Sequence, residues 1–479
     1  MDLDRLTEQI GYIDSLVWQP FAMPLVLVIV GGLITLATGF VQIRRFPAAL
    51  RMVTGGMFRK SEKGAKTITP FQALSTALAS TVGNGNIGGV ATAILIGGPG
   101  AVFWMWVCAT VGMATKYSEA VLGVHFRVTR ENGELASGPM YYITRGIKTP
   151  GLGRTLAVLF AFFGAVTALL GTGNMAQSNT VARTFVAAVD AMTGTVLPLW
   201  VPGIIITVAV ALVLLGGIKR IASVAERLVP SMILLYLLAS VSYIVLNAGM
   251  LPEVFGLIFA DAFQPTAAVG GFIGASVAQS IAAGVSRGVL SNEAGLGSAP
   301  IAHGMANVRH PAEQGVVGVF EVFVDTIVVC SMTAFVILSS GLWMDANYQQ
   351  ASGDLTSAAM NTTIPGATVI VAICSFLFGF STLIGWYYYG EKCFEFLFGS
   401  SFTTIYRVIY TALIMVGAVV SVPLVWAIGT LLNGFMAFPN LIGLLFLLAT
   451  VRKITVDYFN GDGRKYSVDN PVTGARVGA

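Results

Sequence analysis

The chain has 479 residues, of which 55% are hydrophobic and only 10% charged, and its mean hydropathy is +0.79. A soluble domain carries roughly 25% charged residues, so this composition excludes an ordinary soluble protein. The net charge of +4 comes from Lys and Arg concentrated in particular loops, which indicates membrane topology and gives no case for nucleic-acid binding. We therefore predict an all-α polytopic membrane protein.

The residues around the first apolar run predict the orientation of the chain. The run from Phe21 to Ile43 is too long for a signal-peptide core and has no basic leader, so we interpret it as mature protein. The loop after it, RRFPAALRMVTGGMFRKSEKGAK, holds seven basic residues and one acidic residue. The positive-inside rule predicts that this loop is cytoplasmic and that the amino terminus lies outside.

Apolar runs of about 20 residues, long enough to cross a hydrocarbon core of about 30 Å, recur to the end of the chain. We predict eleven spans and a cytoplasmic carboxyl terminus. The segment from Ser339 to Pro365 contains no Lys or Arg, as an external loop should. The predicted spans are centred near Ile29, Ala79, Val111, Phe162, Val208, Leu237, Ala278, Val329, Leu377, Met415 and Leu444.

The second span, FQALSTALASTVGNGNIGGVATAILIGG, has an unusual middle. Residues Ser80 to Gly89 include four glycines and two asparagines at bilayer depth. Glycine costs about 1 kcal/mol in a helix interior, and asparagine is unfavourable there unless it faces protein or water. We predict an unwound break whose carbonyls and amides bind ligands. The alternative is that the glycines only allow close helix packing.

The seventh span, GGFIGASVAQSIAAGVSRGVLSNEAGLGSAP, carries a second cluster of small and polar residues. Gln279 and Ser280 lie in its apolar part, and Gly284, Ser286 and Gly288 follow. We predict an interruption near Ala282 to Gly284 that matches the break in the second span. Close packing of glycines is again the alternative.

The spacing of acidic residues suggests that the two halves are repeats. Glu119 follows Asn84 by 35 residues, and Asp325 follows Asn292 by 33 residues. Because five spans separate the two broken helices, the second copy would enter the membrane from the opposite side, as in many transporters with inverted repeats. We assign residues 1–69 to an amino-terminal part with one extra helix, 70–250 and 251–455 to two five-helix repeats, and 456–479 to a cytoplasmic tail.

The chain offers little for covalent chemistry, so we expect no enzyme. His125, His303 and His310 fall on predicted cytoplasmic segments without metal-ligand spacing. The four cysteines lie far apart with no C-x-x-C spacing, which indicates packing residues. A channel remains an alternative to a carrier, and linear rather than saturable flux would distinguish it.

Seven segments between Ser80 and Glu391 resemble the alanine/glycine:cation symporter family: STVGNGNIGGVATAI, ATKYSEAVLGVHFR, SGPMYYI, GTGNMAQSN, GGIKRIASVAERLVP, GVSRGVLSNEAGLGSAP and FSTLIGWYYYGE. They occur in the expected order and cover most of the chain. The resemblance implies a leucine-transporter-type 5+5 inverted repeat preceded by one extra helix. It also implies uptake of alanine and glycine driven by a cation, with Na⁺ as the coupling ion and no organic cofactor.

A zwitterionic substrate needs donors at one end of its site and acceptors at the other. We predict that the backbone of Gly83, Asn84 and Gly85, at a helix start, binds the carboxylate, with the Asn84 side chain reaching in. Carbonyls freed near Gly284 would accept from the ammonium, with Gln279 on the same helix. Two further side chains join this prediction.

Gln177, in the fourth span, could complete either end of the ligand, or it could only hydrogen-bond a neighbouring helix. Trp386 could form a wall that limits the substrate side chain to a methyl group. The alternative for Trp386 is a tryptophan at the membrane interface.

A hard cation prefers oxygen ligands, and the predicted break in the second span supplies carbonyls. We predict a sodium site formed by the carbonyls of Ala79 and Val82 and the hydroxyls of Ser381 and Thr382, which resembles the sodium site of this fold class. The two hydroxyls could instead cap their own helix. Asn86 is a possible ligand for a second ion.

The prediction is a secondary active symporter of the cell membrane that imports alanine or glycine with sodium by alternating access. The alternative is a proton-coupled or differently selective carrier of small neutral amino acids. Its expected partners are the amino acid and the lipid bilayer, without an obligate protein partner. We expect the charged residues within or next to spans to form gates or structural ion pairs rather than a proton relay; they are Glu119, Glu226, Arg287, Glu321 and Asp325.

Overall fold

The computed structural model describes residues 3–57, 67–130, 134–264, 276–348, 352–420 and 422–460. Four helices come before the first broken span. α1 packs against the last helix of the chain, and α2 against the long helix that follows the first break. Their bounds are α1 (Leu3–Val17), α2 (Met23–Ala37), α3 (Val41–Arg44) and α4 (Phe46–Gly56).

The first half continues with eight helices and one small hairpin. A π-helical turn, Gly85–Gly89, lies between α5 and α6. Strands β1 (Val128–Thr129) and β2 (Leu135–Ala136) pair antiparallel, with Val128 opposite Ala136. The helices are α5 (Pro70–Thr81), α6 (Val90–Gly97), α7 (Gly100–His125), α8 (Pro139–Gly146), α9 (Pro150–Leu170), α10 (Met175–Thr193), α11 (Trp200–Leu214) and α12 (Gly217–Leu246).

The second half contains a further π-helical stretch, Phe323–Cys330, between α16 and α17. Its helices are α13 (Leu251–Asp261), α14 (Val277–Asn292), α15 (Pro300–His303), α16 (Pro311–Val322), α17 (Ser331–Ser340), α18 (Ser352–Asn361), α19 (Ala367–Phe398), α20 (Thr403–Val419) and α21 (Val422–Asn460). Short 3₁₀ turns are Ala248–Met250, Leu342–Met344, Ala346–Tyr348 and Ser400–Phe402.

The helices confirm a multi-pass membrane protein. Within the described ranges, six helical stretches are long and apolar enough to span a bilayer, and three shorter helices are also apolar. Large side chains such as Leu36, Leu238 and Val408 remain 66%, 59% and 64% exposed, as expected of surfaces that face lipid. The six are Pro150–Thr193, Gly217–Leu246, Pro311–Ser340, Ala367–Phe398, Ser400–Val419 and Leu424–Asn460.

Each of the eleven predicted span centres lies in a helix, with Val329 in the π-helical stretch of the second half. The span predicted around Phe162 is only the first part of a longer unit, because α10 follows α9 after a short non-helical stretch. The count of eleven membrane crossings and the division into two repeats remain predictions.

The two helices predicted to be broken begin in the same way. Thr69 caps α5 by accepting from the Gln72 amide at 3.1 Å, and Gln72 accepts from the Thr69 amide at 3.1 Å. Ser276 and Gln279 form the same capping box at the start of α14, at 3.2 and 2.8 Å. Such boxes satisfy amides that the first helical turn leaves without partners.

The predicted interruption near Ala282 to Gly284 is wrong. α14 runs without a break through this segment and ends at Asn292. Gly284 lies against α7, where an added Cβ would collide with the Ala101 carbonyl oxygen, so close packing explains this glycine. The second break instead comprises the non-helical residues between Asn292 and Pro300.

The long helices place both breaks in the interior. α7 packs against α14 and α16, while α19 packs against α5, α10 and α12. The two breaks therefore lie among α7, α10 and α19, where the polar side chains Asn84, Asn86, Gln177 and Glu293 are at most 4% exposed.

Candidate functional site

The first break begins where α5 ends, and it confirms the predicted unwinding in the second span. Val82 has extended backbone angles, with φ −76° and ψ 93°. The Gly83 N–H donates to Asn86 Oδ1 at 2.8 Å instead of continuing the helix. The Ala79 carbonyl therefore loses the donor that it would have in an α-helix.

The π-helical turn Gly85–Gly89 follows this break and bonds to the second π-helical stretch. Asn86 Nδ2 donates to Asp325 Oδ1 at 2.7 Å and to the Asp325 carbonyl at 3.2 Å. Asp325 also accepts from Ser291 Oγ at 2.9 Å and from Thr326 Oγ1 at 2.7 Å. Asn86, predicted as an ion ligand, is thus a link between three elements in this structure.

The second break uses left-handed backbone. Glu293, Gly295 and Gly297 have φ of 58°, 95° and 82°. Glu119 Oε1 accepts from the amides of Gly295 and Gly297 at 3.2 and 3.0 Å and from Asn440 Nδ2 at 2.7 Å. The carboxylate therefore satisfies backbone donors that the missing helix leaves open.

Glu119 and Asp325 each bind the break of the opposite half. Glu119 lies on α7, in the first half, and holds the second break. Asp325 lies in the second half and holds Asn86 of the first break together with Ser291 at the end of α14. Both acids are fully buried. The sequence spacing located both acids, but it did not indicate that each one bonds to a segment of the other half of the chain.

A small cavity lies between the two breaks. Its free volume is about 20 Å³, enough for roughly one or two water molecules. The cavity in this structure is therefore too small for an amino acid, and a substrate can enter only if it opens further. Its walls are Ser80, Thr81, Gly83, Gly85, Gly89, Thr172, Gln177, Arg287, Leu290, Glu293, Thr382, Trp386 and Trp426.

Four of the residues predicted to bind substrate line this cavity: Gly83, Gly85, Gln177 and Trp386. Gln177 Oε1 accepts from the backbone and side-chain amides of Asn84, both at 3.2 Å. Trp386 is 2% exposed and donates its indole N–H to Glu293 at 2.7 Å. That burial excludes the alternative of an interfacial tryptophan.

The other three residues predicted to bind substrate lie away from the cavity walls. The Asn84 side chain accepts from Ser375 Oγ at 2.7 Å and donates to Gln177 Oε1 at 3.2 Å. It therefore links the first break to α19 and α10. Gln279 is exposed in its capping box. Gly284 packs on α7. Gln279 and Gly284 lie away from the cavity because the second break was predicted at the wrong place on α14.

The predicted sodium ligands lie close to the first break. Ser381 Oγ lies 3.5 Å from the Val82 carbonyl oxygen, but it makes a shorter bond of 2.8 Å to Phe378 O. Thr382 Oγ1 also donates to Phe378 O, at 3.0 Å. Both hydroxyls thus bond to a carbonyl of their own helix here, and Ser381 also lies beside the Val82 carbonyl at the break.

The sequence prediction missed Glu293, Arg287 and Thr172 in the cavity wall. Arg287 was assigned only to a gate or a structural ion pair, and Glu293 was not singled out. The segment SNEAGLGSAP carried the signal, because it combines two glycines, an acid and a proline immediately after a helix.

A buried ion pair adjoins the second break. Lys116 Nζ lies 3.1 Å from Glu321 Oε1, and His303 Nε2 lies 2.7 Å from Glu321 Oε2. All three side chains are fully buried and join α7, α15 and α16. Removal of one partner from such a group leaves an uncompensated charge, so the group couples these helices strongly.

Comparisons with known proteins agree with this geometry. Residues 3–470 match the sequence profile of the "Sodium:alanine symporter family". The chain is 45% identical over 443 residues to the "Sodium/alanine symporter AgcS" of Methanococcus maripaludis, covering 92% of this chain and 95% of the relative. It is 37% identical over 452 residues to the "Probable sodium/glutamine symporter GlnT" of Bacillus subtilis, covering 94% and 90%.

Solved structures show the fold. The crystal structure of MhsT in complex with L-phenylalanine aligns with a TM-score of 0.54 at 14% identity, covering 80% of this chain and 97% of that chain. Structural relatives of this kind are transporters of the leucine-transporter fold. The family and its relatives are transporters and not enzymes. With matches over nearly its whole length, the chain belongs to the sodium:alanine symporter family.

Proposed function

We propose that the protein is a secondary active symporter that imports alanine, glycine or both with Na⁺ by alternating access. The observation that carries this proposal is the cavity between two unwound helices, closed on one side by Trp386. Unwound helices at the centre of a bundle supply both amides and carbonyls to a ligand. Membership in a sodium:alanine symporter family supports the choice of ion and substrate class.

The substrate carboxylate would bind at the first break. Gly85 lines the cavity at the start of the π-helical turn, and its N–H has no partner among the described residues. The free amide and the positive end of the helix dipole both favour an anion. The Asn84 amide is occupied by Gln177 in this structure, so it would join only if Gln177 moved.

Na⁺ would bind beside the same break, as a co-substrate. The Ala79 and Val82 carbonyls and the Ser381 and Thr382 hydroxyls form an oxygen-only donor set, which suits a hard cation. Ser381 Oγ needs only to turn from Phe378 O toward Val82 O to contribute. Each ion that enters then gains about 2.3 kcal/mol per 100 mV of membrane potential.

Selection for alanine and glycine rests on Trp386. The indole is fixed by its bond to Glu293, so it forms a rigid wall opposite the first break. A rigid wall rejects larger side chains by steric cost. One alternative is a different small neutral amino acid as substrate, since one relative is named a probable sodium/glutamine symporter. The other is a proton as coupling ion, since another relative is named a putative sodium/proton-dependent alanine carrier.

The orientation follows from charge asymmetry. We place the amino terminus outside and the carboxyl terminus in the cytoplasm of a plasma-membrane protein, with two inverted repeats after one extra helix. The matched capping boxes of α5 and α14 support the repeats. Single cysteines at the exposed positions Thr54 and Asn347 should label from opposite sides of the membrane, and labelling of both from one side would contradict this topology.

Uptake into proteoliposomes tests the proposed function. Labelled alanine should accumulate above equilibrium when an inward sodium gradient is imposed, and it should only equilibrate when choline replaces sodium. Accumulation driven equally by a proton gradient without sodium would favour the proton-coupled alternative. Linear flux that does not saturate would indicate a channel.

A further inference from the structure

We propose that Glu293 selects α-amino acids by binding the substrate ammonium, and that the same carboxylate positions Trp386 as the wall of the site. This inference rests on the proposed import of an amino acid. It assigns a ligand for the ammonium, a role that the sequence pattern had indicated for carbonyls near Gly284. Those carbonyls belong to an unbroken helix and are not available.

The charges around the cavity match a zwitterion. Among the residues of its wall, Glu293 is the single acid and Arg287 the single base. The substrate ammonium needs acceptors, and a carboxylate forms stronger hydrogen bonds with a cation than a neutral carbonyl does. Glu293 is therefore the group in this cavity with the greatest attraction for an ammonium.

The Glu293 carboxylate has room for another donor. Oε1 accepts from Trp386 Nε1 at 2.7 Å, and Oε2 accepts from Ser298 Oγ at 2.5 Å. A carboxylate offers about four acceptor positions, so about two stay open. The two bonds also fix the orientation of the carboxylate, which preorganises it for a ligand.

Glu293 has no ion-pair partner in the described part of the chain. It is 2% exposed, and the buried Lys116 pairs with Glu321 instead. An ionised carboxylate buried without a cation is unfavourable. An ammonium that arrives with the substrate would remove this penalty, so the site gains affinity for amino acids in particular.

The backbone at Glu293 supports a functional role. Its φ of 58° places it in the left-handed region, which Gly295 and Gly297 also adopt in this break. Glycine adopts that conformation without strain, whereas glutamate does not. Strained residues of this kind concentrate at ligand sites, where surrounding contacts hold them in place.

The test compares alanine with propionate, which lacks only the amino group. Each competes against labelled alanine for uptake by the parent, by Glu293→Gln and by the exposed control Glu253→Gln. In Glu293→Gln the apparent affinity for alanine should fall about 10- to 100-fold while that for propionate stays unchanged. The glutamine carbonyl can still accept from Trp386, so the preference for alanine over valine should persist.

Two further variants separate binding from positioning. Trp386→Phe removes the indole donor and should weaken discrimination against valine, while the preference for alanine over propionate remains. Glu293→Asp keeps the charge, so it should retain the preference for alanine over propionate even if uptake is weak. This variant tests the inference if Glu293→Gln folds poorly.

An unchanged ratio of alanine to propionate affinity in a folded Glu293→Gln would overturn the inference. If the parent imports another amino acid instead of alanine, the proposed selectivity fails, and the same comparison with that amino acid and its deaminated analogue still tests Glu293. If the parent protein binds no amino acid better than its deaminated analogue, both the proposed amino-acid transport and the role of Glu293 are contradicted.

Discussion

The first break unwinds Val82 to Asn84 and resumes as a π-helical turn, whereas the second leaves Glu293 to Ala299 without regular helix. Both segments are rich in glycine, but they use it differently. None of the glycines between Gly83 and Gly89 has a positive φ, while both glycines of the second break do. In the first break Gly83 leaves space for a neighbouring side chain, whereas in the second break Gly295 and Gly297 allow a left-handed backbone conformation.

This difference suggests a division of labour. The first break presents backbone amides and carbonyls, and Gly83 allows Thr382 to approach the main chain closely. The second presents the side chain of Glu293 on a backbone that Glu119 holds by hydrogen bonds. We therefore assign the carboxylate and the cation to the first break and the ammonium to the second.

The largest expected effect comes from Asp325, which joins the π-helical turn after the first break to the end of α14, just before the second break. Asp325→Ala removes the carboxylate that accepts from Asn86, Ser291 and Thr326, and it leaves Asn86 only the longer bond to the backbone carbonyl of residue 325. Each unsatisfied buried donor costs about 1–3 kcal/mol, so the melting temperature should drop and uptake should be lost. The measurement is thermal unfolding in detergent with parallel uptake, and Asp190→Ala on the exposed side of α10 is the control. Parental stability and uptake would show that the two breaks are independent.

Alanine substitutions distinguish the two uses of glycine. In Gly83→Ala the new Cβ would lie 2.5 Å from Thr382 Oγ1, so substrate binding should weaken by about 10- to 100-fold, equivalent to about 1–3 kcal/mol of overpacking. Gly297→Ala should mainly lower stability, since its φ is 82° and its Cβ would lie 2.7 Å from Phe160. Binding and unfolding assays on both variants check this. The reverse pattern would contradict the proposed difference between the breaks.

The hydroxyls beside the first break should affect sodium more than stability. Ser381→Ala with Thr382→Ala removes two proposed ligands. The bonds lost are those to the Phe378 carbonyl within α19, so stability should change little. The half-saturating sodium concentration should rise about tenfold, equivalent to about 1.4 kcal/mol. Uptake across a sodium series measures it, with Ser357→Ala, outside the site, as the control. An unchanged sodium response in folded protein would place the ion elsewhere.

The smallest expected effect concerns the wall. Trp386→Ala should admit valine, while glycine, which does not reach the wall, should lose little. A missing apolar contact is worth about 1–3 kcal/mol, so the loss for alanine should be modest. Competition by glycine, valine and leucine against labelled alanine provides the measurement, with monodispersity as the check on folding. If the competition order does not change, another residue limits the substrate.

The first break could be located from the sequence because asparagines among glycines at bilayer depth are unfavourable in a continuous spanning helix. This reasoning placed Gly83 and Gly85 in the site, while Gln177 was chosen as a polar side chain within a span and Trp386 as a bulky wall. All four line the cavity. The sequence also showed the acids Glu119 and Asp325 at matching intervals. The hydrogen bonds that each acid makes to the other half could not be predicted, since they depend on how the two halves pack against each other.

The second break was misplaced because several glycines on α14 imitate the pattern of a broken helix. Gly284 packs against Ala101, and a Cβ added to Gly288 would lie 3.6 Å from Met105 Cα. Close packing and unwinding leave similar sequence patterns, and only neighbouring helices distinguish them. The S-x-x-Q pattern at Ser276 and Gln279 marks a helix start, and it could have moved the predicted break further along the chain.

The most direct test of the central claim is the affinity of the purified protein for alanine in sodium and in choline. If substrate and cation share the first break, sodium should tighten alanine binding by about 5- to 150-fold, and alanine should tighten sodium binding by the same factor. Titration calorimetry measures both directions. Equal alanine affinity in the two salts would contradict the proposed coupling at this site.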